Sequence, residues 1–375
     1  MTAQLTTTRM ERGQIIASHQ GQITQVDDCL YIVKSQSGNG EYTVNMINGE
    51  FSCTCPDNTY RQVRCKHIHA VEFSLKLKAQ VKVSRIIEEV DVSTCVYCHS
   101  TRTKKFVVRH NKSGDIQRFS CQDCGKTYSV NIGFERMKHN PKAITTAMNL
   151  YFSGESLRNT MESLRLLGVE VSHQTVYNWI KKYTRLMKEY AEKITPNVGD
   201  KWRADEIYLK VKGNTKYLFS MMDDETRFWI AQEVADTKDK HDARNLLRMS
   251  KELMGKKPKV FITDGLYSYR KAFNQEFYTQ KGPRAQHIRH ITLKGDRNNN
   301  KMERMNGEIR DREKTMRGIK KMDTSVLQGM QIYHNYVRPH LALDGKTPAE
   351  MCGIKVEGEN KWKTLIQNAS YHKDL

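Results

Sequence analysis

Residues 201–235 read KWRADEIYLKVKGNTKYLFSMMDDETRFWIAQEVA, and the way this stretch divides decides the fold. Three runs rich in β-branched, aromatic and other apolar residues, 202–211, 216–223 and 227–234, have the length and pattern of strands. Gly213-Asn214 and Asp224-Glu225-Thr226 supply the turns between them. Working outward, residues 236–254 have helical spacing, with His241 and Asp242 near the start. KVFITDG (259–265) is a short buried strand, because Val260, Phe261 and Ile262 form an apolar run bounded by turn signals. YSYRKAFNQEF (267–277) reads as a helix and HIRHITLKG (287–295) as a further strand. From Asn299 the chain is again helical. The order βββαβαβα predicts a mixed sheet wrapped by helices.

This is the element order of an RNase H-like fold, and it gives three acids meaning. Asp205 lies inside the first strand, Asp264 ends the fourth, and Glu303 sits in the first turn of the last long helix. In this fold the first and fourth strands are neighbours and that helix packs across them, so the three carboxylates converge. Converging carboxylates repel one another unless a cation joins them. Magnesium prefers carboxylate and water oxygen, and a pair of such ions serves phosphodiester chemistry. Rival acids read differently. Glu206 follows Asp205 and on a strand points to the opposite face. Asp223 and Asp224 read as turn acids, and Glu308 is the alternative to Glu303. Around the helix, Met302, Met305, Ile309 and Met316 share one stripe. Glu303, Asn306, Arg310, Lys314 and Arg317 share the adjacent face.

Four strings carry a resemblance: WRADEIYLKVKG (202–213), VFITDG (260–265), NNNKMERMNGEIRDREK (298–314) and YHNYVRPHLALDGKTPAEM (333–351). Residues 200–352 resemble the catalytic core of DDE transposases of insertion sequences, which are kin to retroviral integrases. The resemblance implies that Asp205, Asp264 and Glu303 are catalytic and hold two Mg2+ or Mn2+ ions. It also implies that Arg310, Lys314, Arg338 and His340 hold phosphates or order the site. The interval between Asp264 and Glu303 is a few residues longer than in compact families, and the extra length falls in 274–288.

The rest of the chain suits that reading. Its 375 residues carry 62 Lys+Arg against 42 Asp+Glu, a net charge of +20 that favours a polyanionic partner. No apolar run approaches the ~20 residues a bilayer span needs, and the N-terminus lacks a secretory h-region. A membrane partner is not expected, and the expected location is cytoplasmic, with the nucleoid of a prokaryotic host. Seven of nine cysteines fall in two clusters. Cys53, Cys55, Cys65 and His67 form a C-x-C…C-x-H set behind a hairpin turning at Asn48-Gly49, and resemble a SWIM zinc finger. His69 is a spare imidazole for that site. Cys95, Cys98, Cys121 and Cys124 form paired C-x-x-C knuckles on two strands around a Lys112-Ser113-Gly114 turn, which looks like a zinc ribbon. Two structural Zn2+ ions are expected, and Cys29 and Cys352 are left outside.

Between the ribbon and the sheet, residues 141–194 have helical spacing throughout. Leu157, Met161, Leu164 and Leu167 mark one helix face, Gly168 ends that helix, and Ser172 caps the next. Val176, Ile180 and Tyr183 then face inward, leaving His173, Gln174, Asn178, Lys181 and Lys182 outward, the pattern of a DNA-binding helix-turn-helix. The expected organisation is multidomain. A SWIM-like region (1–85), a zinc ribbon (90–135) and an all-α helix-turn-helix (138–192) precede an α/β RNase H-like mixed-sheet catalytic domain (198–352) and a C-terminal tail (353–375). Thr195 to Gly199 reads as a linker. The expected partner is double-stranded DNA, both transposon terminal repeats and target, bound by a homodimer or larger assembly. A non-catalytic DNA-binding protein and an RNase H-like nuclease are the competing readings.

Overall fold

A computed structural model of the chain describes residues 8–18, 22–26, 29–36, 38, 40–47, 50–81, 85–111, 114–278, 284–289, 299–316 and 325–371. Two compact units are present, one within residues 1–83 and the larger within 84–293 and 297–375. No helix among the described residues is long and apolar enough to cross a membrane.

In the smaller unit, strands Ile23–Gln25, Leu30–Lys34, Glu41–Ile47 and Glu50–Cys53 form an antiparallel meander, two strands more than the sequence suggests. Helices Arg9–Ser18 and Lys66–Val81 pack together, and a side chain at Gly13 would collide with His69 Cβ. Tyr31, Val33, Val44, Ile68 and Val71 form the core around Cys53, Cys55 and Cys65. The expected Asn48-Gly49 turn lies outside the described residues, although Ile47 pairs with Glu50 across it.

In the larger unit, β1 (Lys201–Val211), β2 (Asn214–Asp223) and β3 (Trp229–Ala235) form an antiparallel meander. Then come α1 (Lys240–Met254), β4 (Val260–Ile262), α2 (Tyr267–Glu276), β5 (Gln286–Ile288) and α3 (Asn300–Met316). β4 runs parallel to β1 and β5 parallel to β4, giving the order β3-β2-β1-β4-β5. This mixed sheet is the RNase H-like arrangement. The last strand lies earlier than the predicted 287–295, and residues 290–295 are outside the described ones.

Alternation along β1 sorts its neighbours. Trp202 meets Phe277, just past α2, on one face, while on the other Asp205 meets α3. Met302, Met305 and Ile309 of α3 are buried against the sheet, as their spacing predicts. The Met316 side chain and Arg317 lie outside the described residues. Asp223 and Asp224 stand at the β2–β3 turn as read, and both are buried. Asp223 is buried and accepts from the Thr226 hydroxyl at 2.5 Å and the Thr226 amide at 2.9 Å. Asp224 is buried among Arg203, Lys201 and Lys301. Burial pushes its carboxyl up, but Lys301, Arg203 and Lys201 outweigh that and hold it below the ordinary value. Lys301 thereby ties the first turn of α3 to the β2–β3 turn.

Helix α4 (Ser325–Ile332) continues into a π-helical turn, Tyr333–Val337, that covers the outer edge of β3. There Asn335 Oδ1 accepts from the Trp229 amide at 2.8 Å and its Nδ2 donates to the Trp229 carbonyl at 2.9 Å. A side chain thus satisfies the edge strand where another strand would pair.

The ribbon strands Thr103–Asn111, Gly114–Cys121 and Thr127–Ser129 form a three-stranded sheet. The turn expected at Lys112-Ser113 lies outside the described residues. Helices Pro141–Ser153, Leu157–Leu166 and His173–Ala191 follow, capped by Asn140, Ser156 and Ser172, each accepting a backbone N–H. Leu164, Val176, Ile180 and Tyr183 are buried, but Leu167 falls just past its helix and is exposed, because Gly168 turns the chain there at φ +75°.

Two expected loose segments are packed. At 195–199, Val198 is buried and the Gly199 carbonyl accepts from Trp202 Nε1 at 2.9 Å. The C-terminal segment is no free tail. Ile354–Val356 pairs in parallel with Arg85–Ile87, and helix Lys361–Tyr371 packs on Pro141–Ser153 and His173–Ala191, with Trp362 stacked on Phe152 at 5.5 Å. Phe152 also lies against Gly329 of α4, where a Cβ would sit 2.1 Å from the ring. Gly329→Ala is therefore expected to destabilise the protein by about 1–3 kcal/mol through overpacking, even though Ala is the better helix former by about 1 kcal/mol. Chemical denaturation measures this, and a stabilised variant would show that the close approach is not tight.

Candidate functional site

Asp205 and Asp264 reach one place through sheet register. Ile262 pairs with Arg203, so continuing two residues along both chains sets Asp264 level with Asp205. Gly265, at φ +99°, turns the chain immediately afterwards, and its missing side chain leaves room for the Arg289 carbonyl. Asp264 Oδ1 accepts from the Leu266 amide at 3.2 Å, so it serves the turn and still belongs to the acidic group. One ligand atom each from Asp205, Glu206 and Asp264 lie within 4.8 Å of one another. The inclusion of Glu206 corrects the expectation that strand alternation removes it.

Asn306 of α3 donates from Nδ2 to Asp205 Oδ2 at 2.8 Å. Glu303, one turn earlier on the same helix face, is exposed. It is outside the 4.8 Å group, but its charge acts on Asp205. The Asp205 carboxyl is pushed up to about 7. Burial is the largest cause, followed by the charges of Asp264 and Glu206, with a smaller push from Glu303. Burial also raises Glu206, against the pull of Lys238. Like charges on half-buried Asp205 and Glu206 and exposed Asp264, and a donor set made only of carboxylate oxygen, fit a hard divalent cation.

The four predicted phosphate contacts divide into two pairs. Arg310 and Lys314 are exposed on the Glu303 face of α3. Arg338 instead pairs with Glu308 at 2.5 Å, and His340 Nε2 lies 3.1 Å from the His334 carbonyl, half-buried. Burial pulls His340 below its ordinary value. Those two side chains are engaged within the chain. His173, Gln174, Asn178, Lys181 and Lys182 are all exposed along one helix.

Both cysteine clusters are assembled. Cys53, Cys55, Cys65 and His67 are buried with ligand atoms within 4.8 Å of one another. His67 Nδ1 lies 3.8 Å from Cys53 Sγ, and its Nε2 is buried with no hydrogen-bond partner among the described residues. His69 turns away to Glu72, at 3.4 Å. The sulfurs of Cys95 and Cys124, and of Cys98 and Cys121, are 3.6 Å apart. A disulfide needs ~2.05 Å, whereas a tetrahedron with ~2.3 Å metal–sulfur bonds has edges of about 3.8 Å. The cages therefore fit zinc. Cys352 is buried, and its Sγ lies 3.2 Å from Thr226 Oγ1.

Sequence reasoning placed Asn306 beside Glu303 but missed its bond to Asp205. It missed Glu206 because a period-2 pattern carries no sign of where a neighbouring strand stops.

Residues 199–340 match the DDE domain family of the IS240 type, and residues 42–76 match the SWIM zinc finger. The chain is 33% identical over 135 residues to the transposase for insertion sequence-like element IS431mec of Staphylococcus aureus, across 35% of this chain and 58% of that protein. The figures are the same for the Staphylococcus aureus transposase of insertion sequence element IS257 in transposon Tn4003. The chain thus spans 58% of the length of these curated relatives. Among solved structures, the HTLV-2 integrase catalytic core domain in complex with magnesium is 15% identical at a TM-score of 0.31, covering 42% of this chain and 98% of that one. The chain carries a DDE domain over residues 199–340 and a SWIM zinc finger over residues 42–76.

Proposed function

We propose that this protein is a DNA transposase that cuts at transposon ends and joins them to target DNA, using Asp205, Asp264 and Glu303 to hold divalent metal. The observation that carries this reading is the level placement of Asp205 and Asp264 under a helix that bonds Asp205 through Asn306 and presents Glu303 one turn away. Magnesium or manganese, two ions in this reading, supplies charge neutralisation at phosphorus and an oxygen nucleophile at neutral pH.

The chain's own groups set the geometry. Asn306 fixes the Asp205 carboxylate, and the Asp264 turn fixes the second. Lys301, anchored on Asp224, holds the start of α3 so that Glu303 stays above the pair. Arg310 and Lys314, the latter 3.4 Å from Asp311, present exposed cations on the same face for DNA phosphates. His173, Gln174, Asn178, Lys181 and Lys182 face outward to read terminal-repeat DNA. Zinc at the two cysteine sites holds the N-terminal modules. Two transposon ends must meet, so a dimer or larger assembly on DNA is part of the reading.

The test is an oligonucleotide cleavage and strand-transfer assay with Mg2+, comparing wild type with Glu303→Gln. Loss of partners outside a metal's ligand set already costs about 10–100-fold, so losing this carboxylate is expected to lower both reactions about 100-fold or more. Cutting without joining in wild type identifies a nuclease, and no chemistry in wild type identifies a DNA-binding protein.

A further inference from the structure

Strand β4 ends at Ile262, level with Arg203, while β1 runs on to Val211. Beyond Arg203, that side of β1 borders a notch over the end of β4. Asp205 enters the notch from the α3 face, and Glu206 from the face that carries Lys238. That is how consecutive residues of one strand come to share a site with Asp264.

Glu206 is unlike an ordinary ion-pair acid. Its side chain is 3% exposed, and Oε1 accepts from the Lys238 ammonium at 2.9 Å. Oε2 is buried with no hydrogen-bond partner within 3.5 Å among the described residues, and the fully buried Tyr269 hydroxyl, likewise without one, acts on the same carboxylate. An unsatisfied buried acceptor is costly, and for a charged group more so. Lys238 is fixed in turn. Its carbonyl accepts from the Ser268 hydroxyl, and its ammonium lies 4.6 Å from the Tyr208 ring and 5.2 Å from the Tyr217 ring. The ammonium therefore holds one carboxylate oxygen, and Glu206 still has a ligand atom within 4.8 Å of those of Asp205 and Asp264.

We propose that Glu206 is a fourth carboxylate ligand of the divalent-metal site, held in place by Lys238. This rests on the reading of Asp205 and Asp264 as metal carboxylates. The plainer alternative is that the Glu206–Lys238 pair only pins the segment before α1. The two differ in metal affinity, which is measurable without DNA.

The experiment titrates Mn2+ into the zinc-loaded full chain and reads free Mn2+ by electron paramagnetic resonance. The variants are Asp205→Asn, Glu206→Gln and the double variant Glu206→Gln/Lys238→Met, which removes the unpaired ammonium. Glu206→Gln is expected to weaken Mn2+ binding about tenfold or more, with the double variant still weakened. Wild-type affinity in Glu206→Gln overturns the proposal. So does recovery in the double variant, because the loss then came from a bare lysine repelling the ion. Should Glu206→Gln fail to fold, the double variant decides alone. If Asp205→Asn also binds Mn2+ like wild type, the underlying site reading fails as well. If Asp205→Asn is weakened and Glu206→Gln is not, only this inference fails.

Discussion

Asp205→Asn is expected to abolish cleavage and strand transfer while raising the melting temperature of the zinc-loaded protein in the absence of Mg2+ and Mn2+. The loss of activity follows from removing the carboxylate that sits between Asp264 and Asn306. The gain in stability follows from electrostatics. Burial and three acidic neighbours push Asp205 up to about 7 from an ordinary 3.8. A carboxyl raised in the folded state contributes stability that is present below its unfolded value and lost as pH rises through its folded value. Between about pH 4 and pH 7 the folded state binds the extra proton, so stability falls across that window. The neutral amide removes this penalty, which is on the order of a few kcal/mol, and keeps a partner for Asn306. Thermal melts of zinc-loaded protein without added Mg2+ or Mn2+ at pH 5 and pH 7.5 check this. The gain should be larger at pH 7.5, and equal melting of variant and wild type would contradict the electrostatic account.

Loss of zinc from the ribbon is the second large effect. Its core consists of Cys95, Val96, Cys121, Tyr128 and Ile132, with a few half-buried neighbours, and two of those five are metal ligands in this reading. So little apolar burial does not offset the ordering of three strands. Structural zinc contributes about 10–16 kcal/mol in small zinc-dependent folds. Cys121→Ser is therefore expected to lower zinc content from two ions to one per chain and open residues 90–130 to limited proteolysis. The RNase H-like sheet should remain resistant, because its core rests on Trp202, Phe219, Phe261 and their neighbours. Unchanged zinc content, or an uncut ribbon, would show that the four sulfurs do not form a metal cage.

Much of this architecture is legible in the chain itself. The strand–turn pattern of 201–235 and the apolar stripe of α3 follow from local periodicity, which needs no partner to be read. The cysteine spacings carry the geometry of their cages. What escapes is tertiary. Arg338 and His340 sit in a string that reads as phosphate-binding, yet Glu308, brought close only by folding, pairs with Arg338, and the His334 carbonyl of the same string engages His340. The 195–199 segment has linker composition but buries Val198, because the helical module packs directly on α4 through Phe152 and Gly329. Glu206 is hidden by the strand alternation that correctly places Asp205. Its position depends on β4 being three residues long.

The central claim is that Asp205 and Asp264 hold metal with Glu303 beside them. Crystals of the full chain soaked in Mn2+ and measured at the manganese absorption edge test it most directly. The account predicts an anomalous peak about 2.1 Å from carboxylate oxygens of both Asp205 and Asp264, with the Glu303 carboxylate turned toward it. A peak bound elsewhere, or one that the Glu303 side chain cannot reach, would contradict it.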